Sequence, residues 1–215
     1  SPEFLLQAEL ENSELSQGDP GYFEPPTPGR QNGQAKLGLV GDVTANPQHG
    51  FYEAPMDVAL YCPTAGASIW YTTNASTPSL TNGTLYTQPI RIARATPLRA
   101  VAFRDGWHPS RPMTQSYILL NDVITQTAAS TLKQGFPTTW NGQTVDYGLD
   151  PRVVGQSGQD AYGGKYARSI KSDLQAIPTM SLVMDMADMF GPKGIYSNPQ
   201  NYGEAWERGA SLELI

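Results

Sequence analysis

Residues 50–62 read GFYEAPMDVALYC, residues 68–92 SIWYTTNASTPSLTNGTLYTQPIRI, residues 96–110 TPLRAVAFRDGWHPS and residues 114–121 TQSYILLN. Short runs rich in Val, Ile, Tyr, Thr and Phe alternate here with clusters of Gly, Pro, Asn, Ser and Asp. β-Branched and aromatic residues suit a pleated, half-buried surface, and the clusters between them supply turns. Met56, Val58, Leu60 and Cys62 fall on one side of a two-residue repeat, with Asp57, Ala59 and Tyr61 on the other, as a half-buried strand requires. The run 68–73 sets Ile69 and Tyr71 opposite Trp70, and 97–104 sets Leu98, Ala100 and Ala102 opposite Arg99, Val101 and Phe103. Asp105-Gly106 is a hairpin signal. Further strands are expected at 36–44, 84–86, 90–93 and 115–120, with a turn at 46–50. Seven short strands at this spacing predict a mainly β fold: a fibronectin/immunoglobulin-like β-sandwich over residues 36–121, followed by a smaller α+β segment over 122–215.

Outward from this stretch the chain changes character at both ends. Residues 1–4 (SPEF) resemble what tag cleavage at a cloning site leaves behind and are set apart from fold reasoning. Residues 5–17 carry Leu5, Leu6, Leu10 and Leu15 among glutamates, as a short helix or the residual strand of a preceding domain would. Residues 18–33 (GDPGYFEPPTPGRQNG) form a Pro/Gly linker, so 5–35 reads as linker plus domain remnant. On the other side, 125–132 is weakly helical and 135–151 is irregular, with Trp140 and Tyr147 as anchors. In 165–177, Tyr166, Ile170 and Leu174 recur at helical spacing before Pro178. Residues 180–184 read as a buried strand, Asp185 and Asp188 as a capping-type pair opening a short helix, and 194–196 and 210–215 as strands. The alternating SLELI at 211–215 has no turn after it, which predicts an unpaired edge, a longer parent chain and an edge-strand dimer.

Charge and composition exclude several function classes. The net charge is −6, from 14 Lys and Arg against 20 Asp and Glu, and the basic residues are scattered. No cluster can track a phosphate backbone, so nucleic acid is excluded as a partner. No apolar run is long enough for a membrane span. Cys62 is the only cysteine, which rules out an internal disulfide and a cysteine zinc site. Neutral polar surface with many turns is common in secreted β-modules.

Residues 156–165 (QSGQDAYGGK) are Gly-rich before a helix but lack the spacing of a phosphate loop. Asp146 and Asp150 flank Tyr147-Gly148; they can shape a turn, join backbone carbonyls around Ca²⁺, or act as a hydrolase's carboxylate pair. His49 and His108 have no G-x-S-x-G elbow to serve, and no catalytic residue is assigned. Aromatics are the strongest binding feature: Trp70, Tyr86 and Trp107 lie on or beside the sandwich, where exposed rings stack on sugar faces and buried ones supply packing area.

The phrases IWYTTNASTP, NGTLYTQPI, TPLRAVAFRDGWHPS and TQSYI, in that order, resemble the chitobiase/β-hexosaminidase C-terminal-type, fibronectin-associated domain over roughly residues 43–121. Asn74-Ala75 replaces the Asp-Gly of that family's turn, and Ala tolerates positive φ less well than Gly. YFEPPTPGRQN (22–32) resembles the close of bacterial lamin-tail-type domains. VDYGLDP, LQAIPTMSLVMD, MFGPKGIYSNP and EAWERGASLELI resemble the segment that opens the kinase domain in bacterial spore-coat CotH kinase family proteins. These resemblances imply a non-catalytic accessory or spacer module of a secreted or surface-associated bacterial protein, with polysaccharide or cell-surface glycan and neighbouring domains as partners. They also imply an alternative, in which the chain positions a CotH-like atypical kinase domain.

Overall fold

The computed structural model describes residues 22–24, 34–140, 142–154 and 160–215. The expectations for residues 1–17, and for most of the linker, lie outside them. A short antiparallel pair, β1 (Tyr22–Glu24) and β2 (Gln34–Lys36), precedes the main body. The sandwich that follows has two sheets. One holds β3 (Thr44–Asn46), β5 (Met56–Tyr61) and β8 (Ile90–Ile92), in the order β3-β5-β8. The other holds β4 (Gly50–Tyr52), β6 (Ser68–Thr72), β7 (Thr84–Leu85), β9 (Thr96–Phe103) and β10 (Met113–Leu119), in the order β4-β10-β9-β6-β7. Only β4 runs parallel to its neighbour, β10.

The core lies where the alternation of β5 meets that of β9. Val58 and Leu60 from one sheet and Ile69, Leu98, Ala100, Ala102 and Tyr117 from the other are buried together. Removing apolar area on this scale from water is the main favourable contribution to folding. Cys62 packs against this cluster and its thiol donates to the Gly41 carbonyl at 3.3 Å.

The expected first strand at 36–44 is corrected. Lys36 ends β2, and residues 37–40 clip onto the β9–β10 turn through Leu37 N–H to Gly106 O (2.8 Å) and Val40 N–H to His108 O (2.9 Å). Glycine spacing explains why. A Cβ on Gly38 would lie 2.8 Å from the Trp107 ring, so only a bare backbone passes there.

Residues 120–215 form the α+β part. Helices α1 (Leu120–Ile124) and α2 (Ala128–Leu132) replace the single weak helix expected at 125–132. A reciprocal Thr127–Ser130 cap starts α2. Strands β11 (Thr139–Trp140) and β12 (Gln143–Thr144) pair, and α3 (Pro151–Val154) and α4 (Lys165–Ala176) follow. Strand β13 (Met180–Val183) pairs antiparallel with β14 (Ser211–Leu214), and α5 (Met186–Phe190) lies between them in the chain. Residues 194–196 are not a strand. Their amides fold back on α5, with Ile195 N–H to Asp188 O (2.9 Å) and Tyr196 N–H to Met189 O (3.0 Å). These bonds satisfy carbonyls that a helix end leaves open.

Candidate functional site

Strand β9 is buried on both faces, from Leu98 to Ala102. Leu98, Ala100 and Ala102 face the sandwich core, so the pleat turns Arg99 and Val101 outward. The same outer face continues onto β10, where Thr114 lies opposite Arg99 and the α+β segment docks. Thr114 Oγ1 donates to Ser211 Oγ (2.8 Å), and Ser116 Oγ lies 2.7 Å from Ser181 Oγ. Glu213 is the centre of this contact. It is 8% exposed and accepts from Ser116 Oγ (2.6 Å), the Ser116 amide (3.3 Å) and His49 Nδ1 (2.7 Å). A buried carboxylate is tolerated only when its oxygens are so occupied.

A second lock joins the β6–β7 loop to α5. Arg99 donates from one terminal nitrogen to Ala75 O and Thr77 Oγ1, both at 2.9 Å. Asp185, the residue before α5, makes no helix cap; it accepts from the Thr77 amide and hydroxyl at 3.3 Å. Burial pushes the Arg99 guanidinium below its usual value, and the nearby Asp185 charge opposes the shift. The loop itself is built on Asn74, whose side-chain Oδ1 accepts from Ser76 N (3.2 Å) and Oγ (2.7 Å). It holds Ala75 at φ +67°, the left-handed geometry that favours glycine and that this sequence gives to alanine.

Between sandwich and α+β segment lies a cleft of about 620 Å³, within the range of small-ligand sites. Asn74, Pro97 and Ile118 are on the sandwich side; Phe136, Trp140, Met186, Met189 and Phe190 are on the other. Aromatic contacts fix that second wall. Trp140 lies 5.8 Å from Phe190 and 5.2 Å from Tyr196, and Phe136 lies 6.1 Å from Phe190. Trp140 Nε1 donates to Tyr147 Oη (3.1 Å), which donates to Pro137 O (2.7 Å). The indole is thus positioned in advance, with 38% of its residue surface exposed. Among the described residues that line the cleft, Lys133 is the one charged side chain. With rings, methionines, amides and one ammonium along its described lining, the cleft can stack, pack and hydrogen-bond a ligand.

The three aromatics expected at a binding surface do not converge. Tyr86 packs against the sandwich core and its hydroxyl accepts from the Leu60 amide at 3.0 Å. Trp107 packs against the same core, with the Arg104 guanidinium 4.4 Å from its ring centroid. Trp70 is half-buried on the outer face, beside Leu85 and Val101. Asp146 accepts from the Gly148 amide at 3.1 Å, a local turn bond. Asp150 is taken by Arg152, through its amide (2.9 Å) and guanidinium (2.7 Å to Oδ2). The Arg152 hydrogen bonds hold its carboxyl below the usual carboxylate value. Both acids line a shallow hollow with Thr127. Among the described residues no group of three or more His, Cys, Asp and Glu side chains is placed to hold a metal.

Sequence reasoning named Trp140 as an anchor and left out Phe190, Met186 and Met189. Their spacing, i, i+3 and i+4 in MADMF, was the available signal for a shared helix face.

Residues 47–114 match the family model of the chitobiase/beta-hexosaminidase C-terminal domain, a carbohydrate-associated accessory domain. No curated protein and no solved structure matches the chain. The match covers the sandwich from the β3–β4 turn to the start of β10 and leaves the whole of the cleft's second wall outside it. Among the described residues no helix is long and apolar enough to cross a membrane.

Proposed function

We propose that the chain is a non-catalytic carbohydrate-binding accessory module of a secreted or surface-associated bacterial protein, and that the saccharide lies in the cleft against Trp140. The observation that carries this reading is the preset, half-open indole on the wall of the cleft. The apolar face of a pyranose stacks on such a ring while its hydroxyls reach polar groups at the rim, here Asn74, Gln134 and Lys133. The family match over residues 47–114 supports the association with carbohydrate.

The test is co-sedimentation with insoluble polysaccharides, chitin among them, and calorimetry with soluble oligomers. Trp140→Ala should weaken binding about tenfold or more, and Trp140→Phe should restore part of it. Binding that survives Trp140→Ala and fails in Trp70→Ala would move the site to the outer sheet face and refute the cleft. Absence of binding to every polysaccharide would refute the carbohydrate reading altogether.

A second reading is favoured by the way residues 180–214 are seated. We propose that this part is the opening of a CotH-like kinase domain, oriented by the Glu213 and Asp185 contacts, with YFEPPTPGRQN as the close of a lamin-tail-type domain. Phosphoryl transfer by the full reading frame, lost on Glu213→Arg, would support it. An active frame indifferent to that substitution would count against it.

A further inference from the structure

The β13–β14 hairpin is inverted relative to the strands of the sandwich. Its inner residues are Ser181, Val183, Ser211 and Glu213; its outer ones are Met180, Leu182, Leu212 and Leu214, exposed to 69%, 58%, 62% and 70%. The register pairs Met180 with Leu214 and Leu182 with Leu212. Thr179 and Ile215 exchange both backbone hydrogen bonds, at 2.9 and 2.8 Å. The two apolar pairs are therefore the alternate, non-hydrogen-bonded positions, where opposed side chains approach closest. The result is a flat, uncharged rectangle of four large side chains.

We propose that this face is a self-association surface, on which two copies of the chain pack face to face about a two-fold axis. Four side chains at this exposure amount to a patch on the order of 400–500 Å², as large as the biggest patch of a typical monomer. Two such patches bury together at most roughly 800–1,000 Å², below the roughly 1,200 Å² of stable specific interfaces and in the range of weak, transient ones. The pair is therefore weak, with dissociation in about the micromolar range or above. The occupant follows from chemistry. The face carries no charge that would select an acidic or basic partner, and it is complementary to itself, as an isologous two-fold contact demands. Edge pairing of β14 with β14, the arrangement expected from sequence, would leave the apolar face in water and double it. Stacking of the two hairpins covers it. Leu182 also lines the cleft. Leu182 therefore belongs to both surfaces; the pairing rests on the outer face and does not require that the cleft hold a saccharide.

Sedimentation velocity from low micromolar to several hundred micromolar tests the proposal on the chain as it is. A reversible shift from the mass of one chain to twice that is expected, and Leu212→Glu should raise the dissociation constant at least about tenfold. Fluorescence of an apolar-surface probe, per chain, should fall across the same range as the face is covered. A monomer at every concentration overturns the proposal, as does pairing that ignores both Leu212→Glu and Leu214→Lys. Probe fluorescence that rises on association overturns it in favour of edge pairing. Circular dichroism melts of both variants confirm the fold, and the wild-type mass and probe measurements decide the matter without them.

Discussion

Strands β5 and β14 obey the same alternation and bury opposite halves of it. In β5 the apolar residues Val58 and Leu60 are inside and Asp57, Ala59 and Tyr61 outside. In β14 the carboxylate of Glu213 is inside, and Leu212 and Leu214 are outside. Alternation fixes the pleat of a strand and leaves open which side meets the protein. The neighbour decides that. Strand β5 faces a second sheet whose inner side is mainly apolar, with Leu98, Ala100, Ala102 and Leu119 in the core, so burial area governs. Strand β14 lies on the outer side of β10, where Thr114 and Ser116 present hydroxyls and an amide that need partners. Unmet buried donors cost about 1–3 kcal/mol each, enough to draw in the polar half of the strand.

The comparison is tested most strongly by truncating one leucine from each region. Leu98 is fully buried in β9, and Leu98→Ala should lower the unfolding free energy by about 2–5 kcal/mol, as core truncations do. Leu212→Ala removes a residue that is 62% exposed and should change stability by no more than about 0.5 kcal/mol in the monomer. Denaturant unfolding at low protein concentration reads both. A Leu212→Ala loss as large as that of Leu98→Ala would mean that the hairpin face is covered within one chain.

Glu213 tests the inverted half from inside. Glu213→Ala leaves the Ser116 amide and the His49 ring without this acceptor, and the Ser116 hydroxyl with Ser181 Oγ alone, at a cost of about 1–3 kcal/mol. The loss should be local. Amide exchange should accelerate across Met180–Val183 and stay slow across Leu98–Ala102, because the sandwich keeps its own core. Uniform acceleration would mean that the two regions unfold as one unit.

Local chemistry made much of the sandwich legible. The 56–62 alternation and the Ile69/Tyr71 face rest on residues close in sequence and agree with the strands observed; Asp105-Gly106 makes a turn, with Trp107 N–H to Arg104 O at 3.0 Å, inside a longer connection from Phe103 to Met113 in place of a tight two-residue hairpin. Residues 36–44 and 194–196 read as strands and are not. The first is diverted because Gly38 has to pass under Trp107, 69 residues on, and the second because its amides are needed by α5. The cleft was less legible still. Its walls are brought together by Thr77 with Asp185, 108 residues apart, and Ser116 with Glu213, 97 apart. No periodicity encodes such a pairing. Trp140 stood out only as an aromatic in an irregular stretch, and the rings that orient it, Phe190 and Tyr196, come from beyond α4.

The smallest expected effect concerns two exposed carboxylates, one in each region. Asp42 is held below its usual value of 3.8 chiefly by the hydrogen bond from Arg111, and Asp150 below its own by that from Arg152. A carboxyl whose folded value is depressed adds stability above its unfolded value, and that stability is lost as pH falls through the folded one. Both losses therefore lie below pH 3.8. Their sizes differ for a reason the folded structure alone does not contain. Arg152 is two residues from Asp150 and stays near it in the unfolded chain, so part of that depression survives unfolding. Arg111 is 69 residues from Asp42 and departs when the sandwich opens. Asp42→Asn should accordingly flatten the acid limb of a melting-temperature profile more than Asp150→Asn, with both changes small because the pairs are solvated. Equal flattening by the two substitutions would place Arg111 near Asp42 in the unfolded chain as well. The sandwich would then owe this contact to residual structure, and its long-range ion pair would be no more diagnostic of folding than the local one.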